Sequence, residues 1–412
     1  MSQFALFLPC PSGVEPLLLE EVQALGLKAE TARGGVRLPR ASLVDAMKLN
    51  LHSRLATRVL VELVQGPYRD EADLYTLAWK VDWNAWLTPE HRFKVDCTAR
   101  QSPLKSLHFA ALKVKDALCD QIRDTQGERP SVDTRDPDLP ILLHLEAEHA
   151  TLYADSSGAP LFKRGWRFDK GDAPLKETLA AAMLAAAGWR GTPESGGALN
   201  DPCCGSGTIA IEAALIACGM APGLQRDFAF AHQRPYAELY PDWQRLTQAA
   251  RDAVHAPAVP IFASDVAFRM VDFARRNAER AGVAHAIRFQ GGDALERPAP
   301  DLPEGMAGTL MLNPPYGERI AVRGKAGAED TERSAREQTE ESDFFPRLAA
   351  HWKRQYTGGN PWSAWMLTPD RDLPKRMRLK ESRKVPMWNG PIECRLFRFD
   401  LVAGSNRNKD TA

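Results

Sequence analysis

Two stretches hold the residue types and spacings that can do chemistry. The first is Leu312-Asn313-Pro314-Pro315-Tyr316-Gly317-Glu318-Arg319. The apolar run Gly308–Leu312 before it reads as a buried strand. Two prolines then stop it, because proline cannot donate to a sheet ladder and holds φ fixed. A side-chain amide, two stiff residues and an aromatic ring therefore sit just past a strand end, where open α/β sheets bind ligands. Asn313 and the Pro314 carbonyl can accept the two hydrogens of an NH2 group on a planar molecule, with Pro315 stiffening the corner. The Tyr316 ring can stack on that molecule's face. The bland alternative is a turn that ends a core strand.

The second stretch is Asp201-Pro202-Cys203-Cys204-Gly205-Ser206-Gly207-Thr208, leading into an apolar helical run over 209–217. Gly205 and Gly207 allow a tight turn and close approach of the backbone to a ligand. No Lys follows the second glycine, so this is not a phosphate-binding P-loop, and Ala210 breaks the dinucleotide fingerprint. An acid at a strand end, then Gly-Ser-Gly, then a helix suits a ligand with an amino-acid part and a ribose rather than a pyrophosphate.

Together, Asp-Pro-x-Cys-Gly-Ser-Gly-Thr and Asn-Pro-Pro-Tyr-Gly-Glu-Arg resemble the S-adenosylmethionine-dependent methyltransferases that act on exocyclic amines. More narrowly, the chain resembles the THUMP-domain guanine-N2 RNA methyltransferases, and among them the N-terminal half of the bacterial fused enzymes that modify 23S rRNA. The resemblance implies S-adenosylmethionine as cofactor and methyl transfer to the N2 amine of a guanine in RNA, foremost 23S rRNA or its precursor. It implies catalytic roles for Asn313, Pro314, Pro315 and Tyr316. For the cofactor it implies Asp201, Pro202, Cys203, Gly205, Ser206, Gly207 and Thr208, with Asn313. It adds Lys176, Glu177 and Thr178, at the start of a helix whose N-terminus lies over the cofactor. Asp265 ends the strand Phe262–Asp265 and takes the ribose hydroxyls on this reading; the alternative is a cap for the helix through Arg280. Asp293 stands where the family holds the adenine amine, or is a turn aspartate. The same corner also serves enzymes that methylate adenine N6 in DNA and glutamine in proteins. A tRNA substrate, or an RNA-binding assembly factor with a vestigial site, are further alternatives.

The elements that must position these residues make an α/β protein of several modules. A chain of 412 residues allows two or three domains. Residues 1–65 read β-α-β-α-β, a ferredoxin-like module with Ser42 capping its second helix. Residues 66–155 read as the THUMP domain: a helix over Asp73–Trp86, a strand over Arg92–Thr98, a helix over Ser106–Arg123 and a hairpin over 140–155. Residues 156–172 form a linker, and 173–403 form a Rossmann-like methyltransferase domain whose first helix runs from Pro174 to Ala187. The 321–342 stretch reads as a mobile loop and 404–412 as a disordered tail.

Net charge is zero, with 53 basic and 53 acidic residues, and the first 150 residues hold 18 basic against 21 acidic. RNA must therefore be met by local patches. Arg100, Lys105, Lys113 and Lys115 are either phosphate contacts or a solvated helix face; the resemblance, which covers Lys113–Ala117, favours RNA. Lys163, Arg164 and Arg167 lie in a basic-aromatic cluster that can meet a backbone and a stacked base, dock one domain on another, or form an exposed strand end; Arg319, at the close of the corner, is a further RNA contact on this reading. The run Arg371–Lys384 has seven Lys/Arg against two acids and reads as a solvated helix or an RNA-facing one. Seven scattered cysteines with no C-x-x-C pair fit reduced thiols, a cytoplasmic setting and no metal. No apolar run is long enough to span a bilayer.

Overall fold

A computed structural model describes residues 3–171, 174–314 and 344–403. Pro315, Tyr316, Arg319, the 321–342 loop and the 404–412 tail lie outside the described residues. The chain divides into two units: Met1–Arg164 with Ala221–Ala253, and Gly165–Met220 with the residues from Val254 onward.

The first unit is built on one eight-stranded sheet. Its strands are β1 (Phe4–Pro9), β2 (Glu30–Ala32), β3 (Gly35–Ala41), β4 (Leu60–Pro67), β5 (Arg92–Ala99), β6 (Ser131–Val132), β7 (Leu139–Leu145) and β8 (His149–Asp155), in the order β2-β3-β1-β4-β8-β7-β5-β6. β4 runs across residue 65 and pairs antiparallel with β8, so ladder hydrogen bonds join the ferredoxin-like part to the next without a break. Helices α1 (Glu15–Ala24) and α2 (Leu43–His52) follow β1 and β3. Ser42 and Asp45 form a reciprocal capping box at the start of α2. The order expected from sequence gains a hairpin, because β2 and β3 fold back on each other around Gly34. Helix α3 (Glu71–Trp79) ends seven residues earlier than expected. There Trp83 buries its ring and donates Nε1–H to the Ala78 carbonyl at 2.9 Å, which turns the chain into a single 3-10 turn. Helix α4 (Leu107–Gln126) is capped by Ser106 and stops at Gly127 in the left-handed region.

Residues 221–253 return to this unit. Helix α7 (Tyr240–Asp252) sets Ala250, Trp243 and Leu246 against Leu51 and Ala221. Arg226 donates to the carbonyls of Ser157, Ala159, Pro160 and Lys163, and burial pulls its pKa down to about 10. One guanidinium thereby fixes the whole turn 157–163.

The second unit is built on a seven-stranded sheet: β9 (Ala198–Asp201), β10 (Ile261–Asp265), β11 (Ile287–Gly291), β12 (Gly308–Leu312), β13 (Trp362–Thr368), β14 (Arg383–Asn389) and β15 (Ile392–Leu401). Their order is β11-β10-β9-β12-β13-β15-β14, and β9 to β13 are mutually parallel while β15 is antiparallel to both neighbours. All five β12 residues are buried, the signature of a central parallel strand. Helices α5 (Glu177–Ala186), α6 (Thr208–Ala217) and α8 (Phe268–Arg280) flank this sheet, α6 against β9 and β10 and α8 against β10 and β11. Helix α9 (residues 344–355) packs Phe345, Leu348 and Trp352 on Leu310, Leu312 and Phe399. Helix α5 starts at Glu177, three residues after the expected Pro174. The Leu175 carbonyl accepts from the Arg167 guanidinium at 3.1 Å, which holds 174–176 out of the helix. The expected helix in Arg371–Lys384 shrinks to α10 (Leu373–Met377), because Arg378 turns left-handed and Arg383 opens β14.

Candidate active site

The sheet order reverses between β9 and β12. From β9 the chain steps outward to β10 and β11, and from β12 it steps the other way to β13. That break is a crevice at the strands' carboxyl ends, where an open parallel sheet binds its ligand. Asp201 is the last residue of β9 and Asn313 the first after β12. The β12 boundary expected from the proline pair matches the structure.

Asp201 is 1% exposed. Its Oδ1 accepts weakly from the Cys203 amide at 3.4 Å, and its Oδ2 is buried with no partner among the described residues. Burial holds its pKa well above the usual carboxylate range, and the charge of Asp265 adds to this. The Asn313 Oδ1 is likewise buried with no partner. A buried acceptor without a donor is destabilising by about 1–3 kcal/mol, so two of them at one crevice point to donors brought by a ligand. Asp265 ends β10 and ties the glycine loop: its Oδ2 accepts from Gly205 N–H at 2.9 Å and its Oδ1 from Ala267 N–H at 2.9 Å. Asp293 follows β11 and accepts from Leu295 N–H at 2.8 Å. The Cys203 thiol is pushed well up by burial and by the charges of Asp201, Asp265 and Asp293, which marks it as inert and the crevice as a field for a cation.

Gly205 and Gly207 both take positive φ, at +52° and +91°. A Cβ at Gly205 would meet nothing within 4 Å, so that side of the loop is open space. A Cβ at Gly207 would sit 2.9 Å from the Ala274 Cβ, where α6 and α8 touch. Gly207→Ala is therefore expected to cost about 2–4 kcal/mol through left-handed strain and overpacking. Gly205→Ala is expected to cost only about 1 kcal/mol in the ligand-free protein. Thermal unfolding of the two variants checks both.

Behind the loop lies a residue with another role than the one expected. Arg167 was read as an RNA contact, but its side chain is only 13% exposed and its donors are committed inside. Nε donates to Glu177 Oε1 at 2.7 Å, and the two terminal nitrogens reach Ser206 Oγ at 3.1 Å, Thr208 Oγ1 at 2.7 Å and the Leu175 carbonyl. It braces the start of α5 against the glycine loop. Burial raises the Glu177 pKa against the opposing pull of Arg167. Lys176 is exposed and caps α5 only through its backbone, while Thr178 and Pro202 are buried. Sequence reasoning missed Asn277, which is fully buried on α8 and donates to the Ser206 carbonyl at 3.1 Å and the Asp169 carbonyl at 2.7 Å. It also missed Asn200, whose Nδ2 donates to the buried Tyr356 hydroxyl at 3.0 Å and so ties β9 to the residue just past α9. An asparagine closing the apolar run before Asp201 was the signal for Asn200, while Asn277 stands among charged residues and offered none.

Arg164, the other arginine of the basic-aromatic cluster, is 2% exposed and donates to the carbonyls of Leu161 and Arg54. It lies in the interior of the first unit, not on an RNA-facing surface. Lys115 pairs with Asp116 at 2.7 Å. Lys105, Lys113 and Lys163 are exposed and Arg100 half-buried. Lys113 follows the exposed Phe109 by four residues along α4, and Lys105 lies just ahead of that helix's cap.

Residues 164–398 match the model of the RMKL-like methyltransferase-domain family. The chain belongs to that family. Residues 68–155 match the THUMP domain and residues 5–60 the RlmL ferredoxin-like domain. A "Ribosomal RNA large subunit methyltransferase K/L" of Pseudomonas paraeruginosa is 38% identical over 97% of this chain and 53% of its own. The chain thus spans about half the length of the curated relatives it matches. Among solved structures, a putative methyltransferase complexed with SAH is 26% identical, with a TM-score of 0.79 over 99% of this chain and 100% of that one. A predicted N6-adenine-specific DNA methylase from Listeria monocytogenes is 27% identical, with a TM-score of 0.81 over 97% of this chain and 96% of that one. The Rossmann-like order of the methyltransferase sheet and the modules ahead of it are therefore as the sequence led one to expect. Among the described residues no helix is long and apolar enough to cross a membrane, and no group of His, Cys, Asp and Glu could hold a metal ion.

Proposed function

We propose that this methyltransferase uses S-adenosylmethionine to methylate the exocyclic N2 amine of a guanine in large-subunit ribosomal RNA, 23S rRNA or its precursor. The observation that carries the reading is the pair of unpartnered buried acceptors, Asp201 Oδ2 and Asn313 Oδ1, on either side of the switch point. Three carboxylates facing one thiol favour a ligand that carries positive charge, and S-adenosylmethionine supplies an ammonium together with a sulfonium-bound, electrophilic methyl group. Asp201 would take an N–H of the ammonium and Asp265 the ribose hydroxyls, with the open side of Gly205 leaving room for the backbone to approach.

The chain's own contribution to transfer is placement. A guanine N2 amine is a weak nucleophile because its lone pair is delocalised into the ring. Asn313 Oδ1 and the Pro314 carbonyl would accept its two N–H bonds, hold the nitrogen in line and favour a pyramidal geometry. Alignment is then the main contribution and no strong base is needed. The N–C bond would form as the S–C bond breaks, its electron pair staying on sulfur as a neutral thioether, and the nitrogen would lose one proton through the Asn313 oxygen to solvent. The base has to be single-stranded or flipped to reach the corner, at a few kcal/mol. Stacking on Tyr316 would offset about 1–3 kcal/mol of that. The THUMP match and the name of the Pseudomonas relative support RNA over DNA.

Incubation with labelled S-adenosylmethionine and protein-free 23S rRNA, tRNA, duplex DNA or a protein extract tests this. Label recovered as N2-methylguanosine from 23S rRNA is the expected result. Label recovered as N6-methyladenine from DNA, or only from the protein extract, would overturn it.

A further inference from the structure

The rim that carries Asn313 has a second feature, one strand away. β13 pairs parallel with β12, Met366 opposite Leu312, so both strands end on the same edge of the sheet. The connection over residues 369–382 leaves β13 at that edge. It belongs to the most basic run of the chain, seven Lys/Arg against two acids over 371–384.

Five of these cations lie on the connection itself and fall into two sets, while Arg383 and Lys384 open β14. Arg371 pairs with Glu393, Lys375 with Asp372 and Arg376 with Asp370, at 2.8, 2.8 and 3.0 Å. The Arg376 guanidinium also lies over the Phe345 ring, 4.8 Å from its centroid, and Leu373 and Met377 are buried beneath α10. The turn is thereby seated on the core. Arg378 and Lys380 are exposed and have no carboxylate partner among the described residues. Arg378 also sits at φ +49°, one of two non-glycine residues in the left-handed region among the described residues. A glycine would serve that turn without strain, so an arginine held there is a side chain retained against a backbone preference. A firmly seated turn that projects two uncompensated cations beside a catalytic rim is the complement of a polyanion.

We propose that Arg378 and Lys380 grip phosphates of the RNA strand next to the nucleotide that enters the Asn313 corner. This rests on the RNA methyltransferase reading above. It assigns the backbone contact to the catalytic unit itself, separate from any made by the THUMP domain.

The test is steady-state methylation of protein-free 23S rRNA by the full chain carrying Arg378→Gly and Lys380→Ala, at several salt concentrations. Glycine accepts the same φ, so this variant loses the guanidinium without forcing the backbone, and its Tm is expected at or above that of the parent. The KM for RNA is expected to rise about tenfold while the KM for S-adenosylmethionine stays put. The slope of log affinity for RNA against log salt is expected to shrink by about 1.4 for two lost single-strand contacts. Arg378→Lys alone is expected to keep the slope. An unchanged RNA KM and slope beside an active parent would overturn the phosphate grip alone. A lowered Tm with both KM values raised would assign the pair a structural role and overturn it too. A parent that methylates no RNA would overturn the functional reading and this inference with it.

Discussion

Asn313→Ala is expected to lower kcat by about 10²–10³ while the affinity for S-adenosylmethionine changes by less than about threefold. The Asn313 oxygen is buried and has no partner among the described residues, so none of them competes for it. Removing one such preorganised group from a site where charge develops costs about 2.7–4 kcal/mol in other enzymes, which sets the expected range. Stability should not fall, because the truncation also removes an unsatisfied buried acceptor, and Tm is expected within a few degrees of the parent. Asn313→Asp is the sharper control. It keeps an acceptor in place but adds charge, and single-turnover rates should lie between those of the parent and the alanine variant. Equal single-turnover rates for parent and Asn313→Ala, with cofactor bound, would remove Asn313 from the chemistry.

The parts of this site that could be read from sequence are those set by the backbone. Proline cannot extend a ladder, so Pro314 and Pro315 mark the end of β12, and the structure ends the strand at Leu312. Glycine tolerates left-handed φ, so Gly205 and Gly207 mark the loop before α6. Asp201 and Asp265 follow apolar runs and duly stand at strand ends. What could not be read is what a long side chain does once it is buried. Arg164 and Arg167 sit in Phe-Lys-Arg-Gly-Trp-Arg, which has the composition of a nucleic-acid contact, yet both turn inward to carbonyls and to Glu177. A guanidinium buried against three or four oxygens and one exposed to a phosphate look alike in one dimension.

Chain order misleads in a second way. The 221–253 insertion lies between two strands of the methyltransferase sheet, yet it packs with the first unit, where Arg226 fixes the 157–163 turn. Its signal was present in Phe228, Phe230, Tyr236 and Trp243, four aromatics that form one cluster. Sequence shows that such a cluster needs a surface to cover, not which surface.

Asp201→Asn is the second large expected effect, and it runs in opposite directions for stability and binding. In the ligand-free fold the Asp201 carboxyl titrates well above its unfolded value, chiefly through burial. The folded state therefore holds the proton more tightly than the unfolded chain. Stability falls as pH rises from the unfolded value of about 3.9 through the folded one, and below that window the charge costs nothing. At neutral pH the asparagine variant escapes this loss, and it removes a charge that Asp265 repels. Asp201→Asn is expected to be more stable than the parent by about 1–3 kcal/mol at pH 8 and equal to it near pH 3.5, measured by denaturant unfolding. Binding should go the other way. A cationic ligand that pairs with the ionised carboxylate lowers its pKa, so the parent's affinity for S-adenosylmethionine should rise with pH through the folded value and binding should release protons. The variant should bind at least tenfold more weakly at pH 8 and show neither effect. Calorimetry in two buffers of different ionisation enthalpy reads the proton release directly. A pH-independent affinity in the parent would separate Asp201 from the ammonium and leave its buried charge without a ligand to answer it.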